Sequence, residues 1–308
     1  RRAYFYIDRA NIKFFVQDLD IQVGRLATSF GKSTFWNLFD YYGSPYLGQE
    51  FKAGIDALKI DKAIGNFSGV TAVFNEQNIL TSSGSYLENS AAQSYQWLGS
   101  KEETGFLLRG YTNYQNKDYA LLYKREPEGH RLGLEVDGEL GSINIYNQIT
   151  YLWGVETISM PGSYQGNLIK NYFMNVFGSS YRFDNELQLT AEHLFNGIGD
   201  PDNLDGSDVR YKNGVSTSLN NHLSAILLSY EFTPLLMGRY DTKYAWTDSS
   251  NQHNFSLNQS IGENTDFMIG GQINFGSKPN GNNWQNPSIQ SEFGRLSNTF
   301  YIELKHYF

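Results

Sequence analysis

NTFYIELKHYF, residues 298–308, alternates without a break to the last residue of the chain. Phe300, Ile302, Leu304 and Phe308 fall on one face of a period-2 segment, and Thr299, Tyr301, Glu303, Lys305 and Tyr307 on the other. In a soluble sheet the apolar face would turn toward a core. Here it runs to the carboxylate, where chain ends usually fray. The pattern predicts a strand whose end is held in place by its surroundings.

Composition says what those surroundings are. Aromatic residues make up 16% of the 308 residues, with 30 Gly and only 7 Pro, which is too aromatic for a disordered chain. Mean hydropathy is nevertheless negative. No stretch approaches the ~18 consecutive apolar residues of a membrane helix. A transmembrane β-barrel satisfies all three facts, because its strands alternate apolar-out with polar-in and average to hydrophilic. Cysteine is absent, which excludes disulfides and thiolate metal sites. A net charge of -8 argues against nucleic acid as a partner, since that binding is driven by Lys and Arg neutralising phosphates. No signal peptide precedes RRAYFYIDRA, so an exported chain would be a mature or trimmed form.

Scanned for alternation, the chain resolves into about fifteen segments of roughly ten residues, the length a tilted strand needs to cross a bilayer. In residues 106–114 Arg109 and Asn113 share a face. In 131–140, Leu132, Leu134, Val136 and Leu140 oppose Arg131, Glu135, Asp137 and Glu139. In 185–195, Leu187, Leu189 and Ala191 oppose Glu186, Gln188 and Glu192, and in 236–246, Tyr240, Tyr244 and Trp246 oppose Arg239, Asp241 and Lys243. The segments 106–114, 131–140, 185–195 and 236–246 carry charge on one face, and such faces need water. Connections at 16–19, 61–66, 115–118, 139–142, 179–185, 232–234 and 262–264 are short. Those at 31–50, 76–104, 126–130, 155–165, 198–219, 248–252 and 277–297 read as longer and rich in Gly, Asn and Ser. Short periplasmic turns alternating with larger external loops are the outer-membrane arrangement, and a soluble β-sandwich has no reason to sort its loops by parity. The parity of the ends predicts a barrel of about sixteen strands with one strand upstream of Arg1.

Motifs that could carry chemistry are weak. FGKST, residues 30–34, ends like a nucleotide-binding phosphate loop, but the first glycine of that motif falls on Leu26. It reads as the start of an external loop. His130, His193, His222, His253 and His306 have no metal-ligand spacing, and His193 and His306 fall on apolar faces near where interfacial residues belong. Glu135, Asp137, Glu139, Glu186 and Glu192 could form an acid/base group of the glycosidase kind. Set against Arg109, Lys124, Arg131, Arg239 and Lys243, they fit better as the mixed charge lining of a pore that sets ion preference.

With its aromatic last strand ending in Phe308, its loop parity and its long loop at 76–104, the chain resembles the sixteen-stranded general porins of bacterial outer membranes. That resemblance implies that the loop at 76–104 folds into the barrel and narrows it, with Glu88, Glu102 and Glu103 as acidic candidates, and that the chain forms a trimer. The opening stretch, RRAYFYIDRANIKFFVQDLDIQVGRLATSFG, is also similar to porins whose barrel follows an S-layer-homology anchor and to alginate-export-like barrels. This second likeness implies an anchor domain upstream and a tether to peptidoglycan or cell wall. The expectation is therefore one membrane barrel over residues 1–308 with outer-membrane lipid, small hydrophilic solutes and ions as its partners. It would have no cofactor and do no chemistry. Arg109, Lys124, Arg131, Glu135, Asp137, Glu186, Glu192, Arg239, Asp241, Lys243 and Glu303 would line the pore, with Trp153, Trp246, Tyr151, Tyr244 and Phe308 at the rims. A channel specific for a sugar or an acidic polymer, with Tyr111 and Tyr146 stacking on the solute, and an outer-membrane hydrolase are the alternatives.

Overall fold

The structure is a computed structural model that describes residues 9–28, 30–39, 55–77, 103–126, 129–153, 171–205, 207–208, 216, 218–281 and 288–306. Its strands are β1 (Ala10–Val16), β2 (Leu19–Leu26), β3 (Ile55–Ile64), β4 (Ser68–Gln77), β5 (Glu103–Tyr114), β6 (Lys117–Glu126), β7 (Gly129–Leu140) and β8 (Ile143–Trp153). They continue as β9 (Tyr172–Arg182), β10 (Gln188–Asn196), β11 (His222–Thr233), β12 (Leu236–Ala245), β13 (Asn251–Gly262), β14 (Thr265–Phe275) and β15 (Thr299–His306). The strands form one sheet in sequence order, each bonded to the next, and every register resolved is antiparallel, as in Lys59↔Val73 and Val73↔Leu107. Hairpin turns supply the reversal. Between β5 and β6, Gln115 and Asn116 both take positive φ (51° and 60°), the backbone of a turn whose twist matches its flanking strands.

Side-chain exposure along the strands is inverted relative to a soluble sheet. On β7, Arg131, Glu135 and Asp137 are buried while Leu132 and Leu134 between them are each 43% exposed. On β10, Thr190, Glu192, Leu194 and Asn196 are the buried residues. On β15, Phe300, Ile302 and Leu304 are exposed, as the alternation of the last residues predicts. Tyr307 and Phe308 lie outside the described residues. Two strands whose alternation is ambiguous in sequence also resolve. Tyr172, Met174 and Val176 are covered on β9 with Phe173 and Phe177 open, and Leu223 and Ala225 are covered on β11 with Ile226 open.

Contacts divide the chain into two units. The first comprises Arg1–Lys32, Asn37–Asp137 and Gln148–Phe173. Its covered face is not uniformly polar. Leu26, Phe39, Ala57, Val73, Leu107 and Leu122 form an apolar cluster with Phe30 and Ile55 against it, so residues expected in an external loop instead pack on the strands. The second unit comprises Ser33–Trp36, Gly138–Asn147 and Met174–Phe308. Its covered face is a polar ladder in which Gln252 donates to Asn274 (2.9 Å) and Asn254 to Asp241 (2.7 Å).

Two expectations change. Glu186 does not sit on a strand face: β10 begins at Gln188, and Glu186 occupies the preceding turn with φ 70°, paired with Arg182. The connection expected over 126–130 is only two residues, because β6 runs to Glu126 and β7 starts at Gly129. Strand structure extends into Glu126, Gly129 and His130, residues that sequence alone assigns to a loop.

Candidate functional site

After β2 the chain enters a tract, residues 30–39, that carries the GKST sequence followed by Phe35, Trp36, Leu38 and Phe39. Large apolar side chains in an irregular segment need cover, and the covered strand faces supply it. In the first unit, Phe39 is 1% exposed and lies over Gly133 of β7, where a Cβ would come within 2.2 Å of the ring. The Lys32 amide donates to Glu135 Oε2 (3.1 Å), Gln148 Nε2 donates to the same oxygen (2.8 Å), and the Leu38 amide donates to Gln148 Oε1 (2.9 Å). Gly31 takes φ +95°, and a Cβ there would fall 2.5 Å from Gln148 Nε2, so the bend that delivers Lys32 to Glu135 depends on glycine.

Beside this anchor lies a recess of about 380 Å3. The Lys32 ammonium stands 3.8 Å from Asp118 and 3.7 Å from Asp137. The Arg109 guanidinium lies over the rings of Phe30 (5.5 Å) and Tyr111 (4.8 Å). The recess thus has cations and carboxylates of separate strands facing one space.

In the second unit, the buried carboxylate of Glu192 on β10 gathers four donors. Ser33 Oγ (2.9 Å), the Phe35 amide (3.0 Å), Tyr146 OH (2.6 Å) and the Thr34 amide all donate to it. Lys243 of β12 stands 5.6 Å over the Phe35 ring and donates to Gln252. Tyr146 packs on Gly178, where a Cβ would meet its ring at 2.2 Å. Farther along this unit, Glu292 accepts from the Leu219 and Asn220 amides (2.8 and 2.9 Å), and Asp248 accepts from the Glu292 amide. These bonds fasten the connections after β10, β12 and β14 to one another. Burial pushes the Glu292 carboxyl above its ordinary value, against the opposing pull of Arg295 and the donors from Asn220 and Leu219.

Most of the residues expected to line a pore are where the alternation puts them. Lys124, Arg131, Glu135, Asp137 and Glu192 are on covered faces, and Arg109 pairs across from Leu122 and Thr71 on the same face. Arg239, Asp241 and Lys243 share one face of β12, and Glu303 shares a face of β15 with Lys305, 3.6 Å away. Glu186 is the exception. Of the long-loop candidates, Glu88 and Glu102 lie outside the described residues, and Glu103 begins β5. Lys32 and the tract around it escaped the sequence reading, although Phe35, Trp36, Leu38 and Phe39 crowded into one supposed external loop are a signal of burial. The histidines are on the open face: His130 bonds Tyr123 OH and stacks on Trp153, His193 bonds Ser224, His253 bonds Tyr240 OH, and His306 bonds Thr265.

The sheet is similar in fold to several solved structures. Pseudomonas aeruginosa OccK11 (OpdR) superposes with TM-score 0.56 at 12% identity, covering 97% of this chain and 80% of that one. OccK8 (OprE) of the same organism gives 0.56 at 11% identity over 86% and 75%, and its outer membrane protein opdK gives 0.56 at 10% over 96% and 78%. The fold is that of an outer-membrane β-barrel. No protein-family description and no curated protein matches the chain.

Proposed function

We propose that this barrel sits in a bacterial outer membrane and passes small hydrophilic solutes and ions by diffusion, performing no chemistry. The supporting observation is the inverted wall. Arg131, Glu135, Asp137 and Glu192 are turned inward and Leu132 and Leu134 outward, an arrangement that makes sense only with water inside and hydrocarbon outside. Barrels of this strand number leave an aqueous channel rather than a packed interior. In this reading the narrowing element is the tract at 30–39, because its side chains pack on the inner wall and its amides are held by wall carboxylates. Charged groups of both signs around it select among solutes.

Planar-bilayer recording of the detergent-purified protein in a salt gradient tests this. Large, ohmic, long-lived steps are expected, with a reversal potential that reports the sign of selectivity. Silence from protein that migrates as a folded, heat-modifiable barrel would refute it.

A further inference from the structure

The recess beside Lys32 has two poles. Arg109 makes no hydrogen bond or ion pair with any described residue; its contacts are the faces of Phe30 and Tyr111. Five guanidinium donors with no acceptor among the described residues, placed over two rings, make a preorganised seat for a carboxylate. On the other side, Asp118 and Glu135 line the recess, and the ion pair of the Lys32 ammonium with Asp118, at 3.8 Å, is long. The Lys32 and Asp118 side chains are each about half exposed (53% and 49%), so their pairing is weak and readily exchanged for a solute. Asp118 is held in place by Asn113, which donates to it at 2.7 Å.

We propose that this recess binds zwitterionic solutes of the amino-acid kind, the carboxylate at Arg109 and the ammonium at Asp118 and its acidic neighbours. This deepens the channel reading and rests on it. A cavity of about 380 Å3 admits such a solute with part of its hydration. A neutral sugar fits the chemistry less well. Sugar sites offer a bare aromatic face, whereas one face of Tyr111 is already covered by the guanidinium. A simple anion would meet the carboxylates, and a simple cation would meet Arg109 and Lys32. Only a solute carrying both charges satisfies both poles.

The test is block of single-channel current by four probes added to the full-length protein in planar bilayers: L-glutamine, propionate, ethylammonium and maltose. Glutamine is expected to half-block at a concentration about tenfold below that of either single-ended probe or of maltose. Arg109→Gln and Asp118→Asn are each expected to raise that concentration about fivefold, with Arg109→Lys intermediate because it keeps the charge and loses the fork. If Arg109→Gln fails to insert, Asp118→Asn alone carries the comparison. An open channel that glutamine blocks no better than propionate or ethylammonium overturns the proposal. So does stronger block by maltose, or glutamine block unchanged in both variants. A chain that conducts nothing overturns the channel reading first and this inference with it.

Discussion

Glu192→Ala removes an acceptor shared by two backbone amides and two hydroxyls. The hydroxyls of Ser33 and Tyr146 can turn to water or other acceptors, but the Thr34 and Phe35 amides are fixed by the chain. A buried donor left without a partner costs about 1–3 kcal/mol, so the two amides together put about 2–6 kcal/mol against the held position. Lumen water will reach the vacated space and relieve part of this, leaving about 2–3 kcal/mol, which shifts the balance between held and released tract about 30- to 150-fold. In planar bilayers the variant should show a higher mean conductance and more frequent brief steps between levels as residues 33–35 leave the wall. Glu192→Gln keeps one acceptor oxygen and loses the charge, so it should fall between the parent and the alanine variant. Conductance and step frequency indistinguishable from the parent in both variants would refute the reasoning, because the tract would then be held by something other than this carboxylate.

Gly178→Ala should push Tyr146 away from Glu192, since the new methyl would overlap its ring; the same recordings should show a smaller change of the same sign, at a cost of about 1–3 kcal/mol. Glu292 gives a pH dependence: its folded-state value is raised above the unfolded one, so the stability it contributes is complete below the ordinary carboxylate range and is lost as pH rises through the raised value. Exchange at the Leu219 and Asn220 amides, corrected for intrinsic rates, should therefore speed up across that window in the parent and much less in Glu292→Gln. Leu134→Arg, on the lipid face near the middle of β7, should lower unfolding stability in lipid vesicles by about 2–4 kcal/mol by denaturant titration. An unchanged midpoint there would mean that Leu134 does not face lipid.

How far this architecture was readable in advance depended on which physical signal each part carries. The strands were legible because a sheet with one face covered and the other open forces period-2 patterning, and Leu132, Leu134, Phe300 and Ile302 obey it strictly. The strand faces of Arg109, Glu135 and Glu192 followed from the same rule. What the rule does not give is which group a wall residue meets across the lumen. Glu135 and Glu192 look like free pore charges in sequence, yet they are acceptors for backbone amides of Lys32, Thr34 and Phe35, which lie 103, 158 and 157 residues away in the chain. No local pattern encodes contacts of that separation. Glu186 was misplaced for a nearer reason: the alternation continues by chance two residues beyond the strand, into a turn where positive φ breaks it. The apolar cluster around Phe39 was hidden because Leu26, Ala57, Val73, Leu107 and Leu122 come from five different strands and make a continuous surface only after the sheet has formed.

Toward Glu135 and Glu192 the grip on residues 32–35 rests mainly on main-chain donors, with the Ser33 hydroxyl added to them. Anchoring and lining are therefore separate inheritances. Side chains at positions 32, 34 and 35 can be exchanged while the amides keep their acceptors, so the preference of the proposed channel can drift, or be re-engineered, without the scaffold being rebuilt. Two carboxylates on the wall fix where the segment lies, and the segment itself is left to vary what it admits.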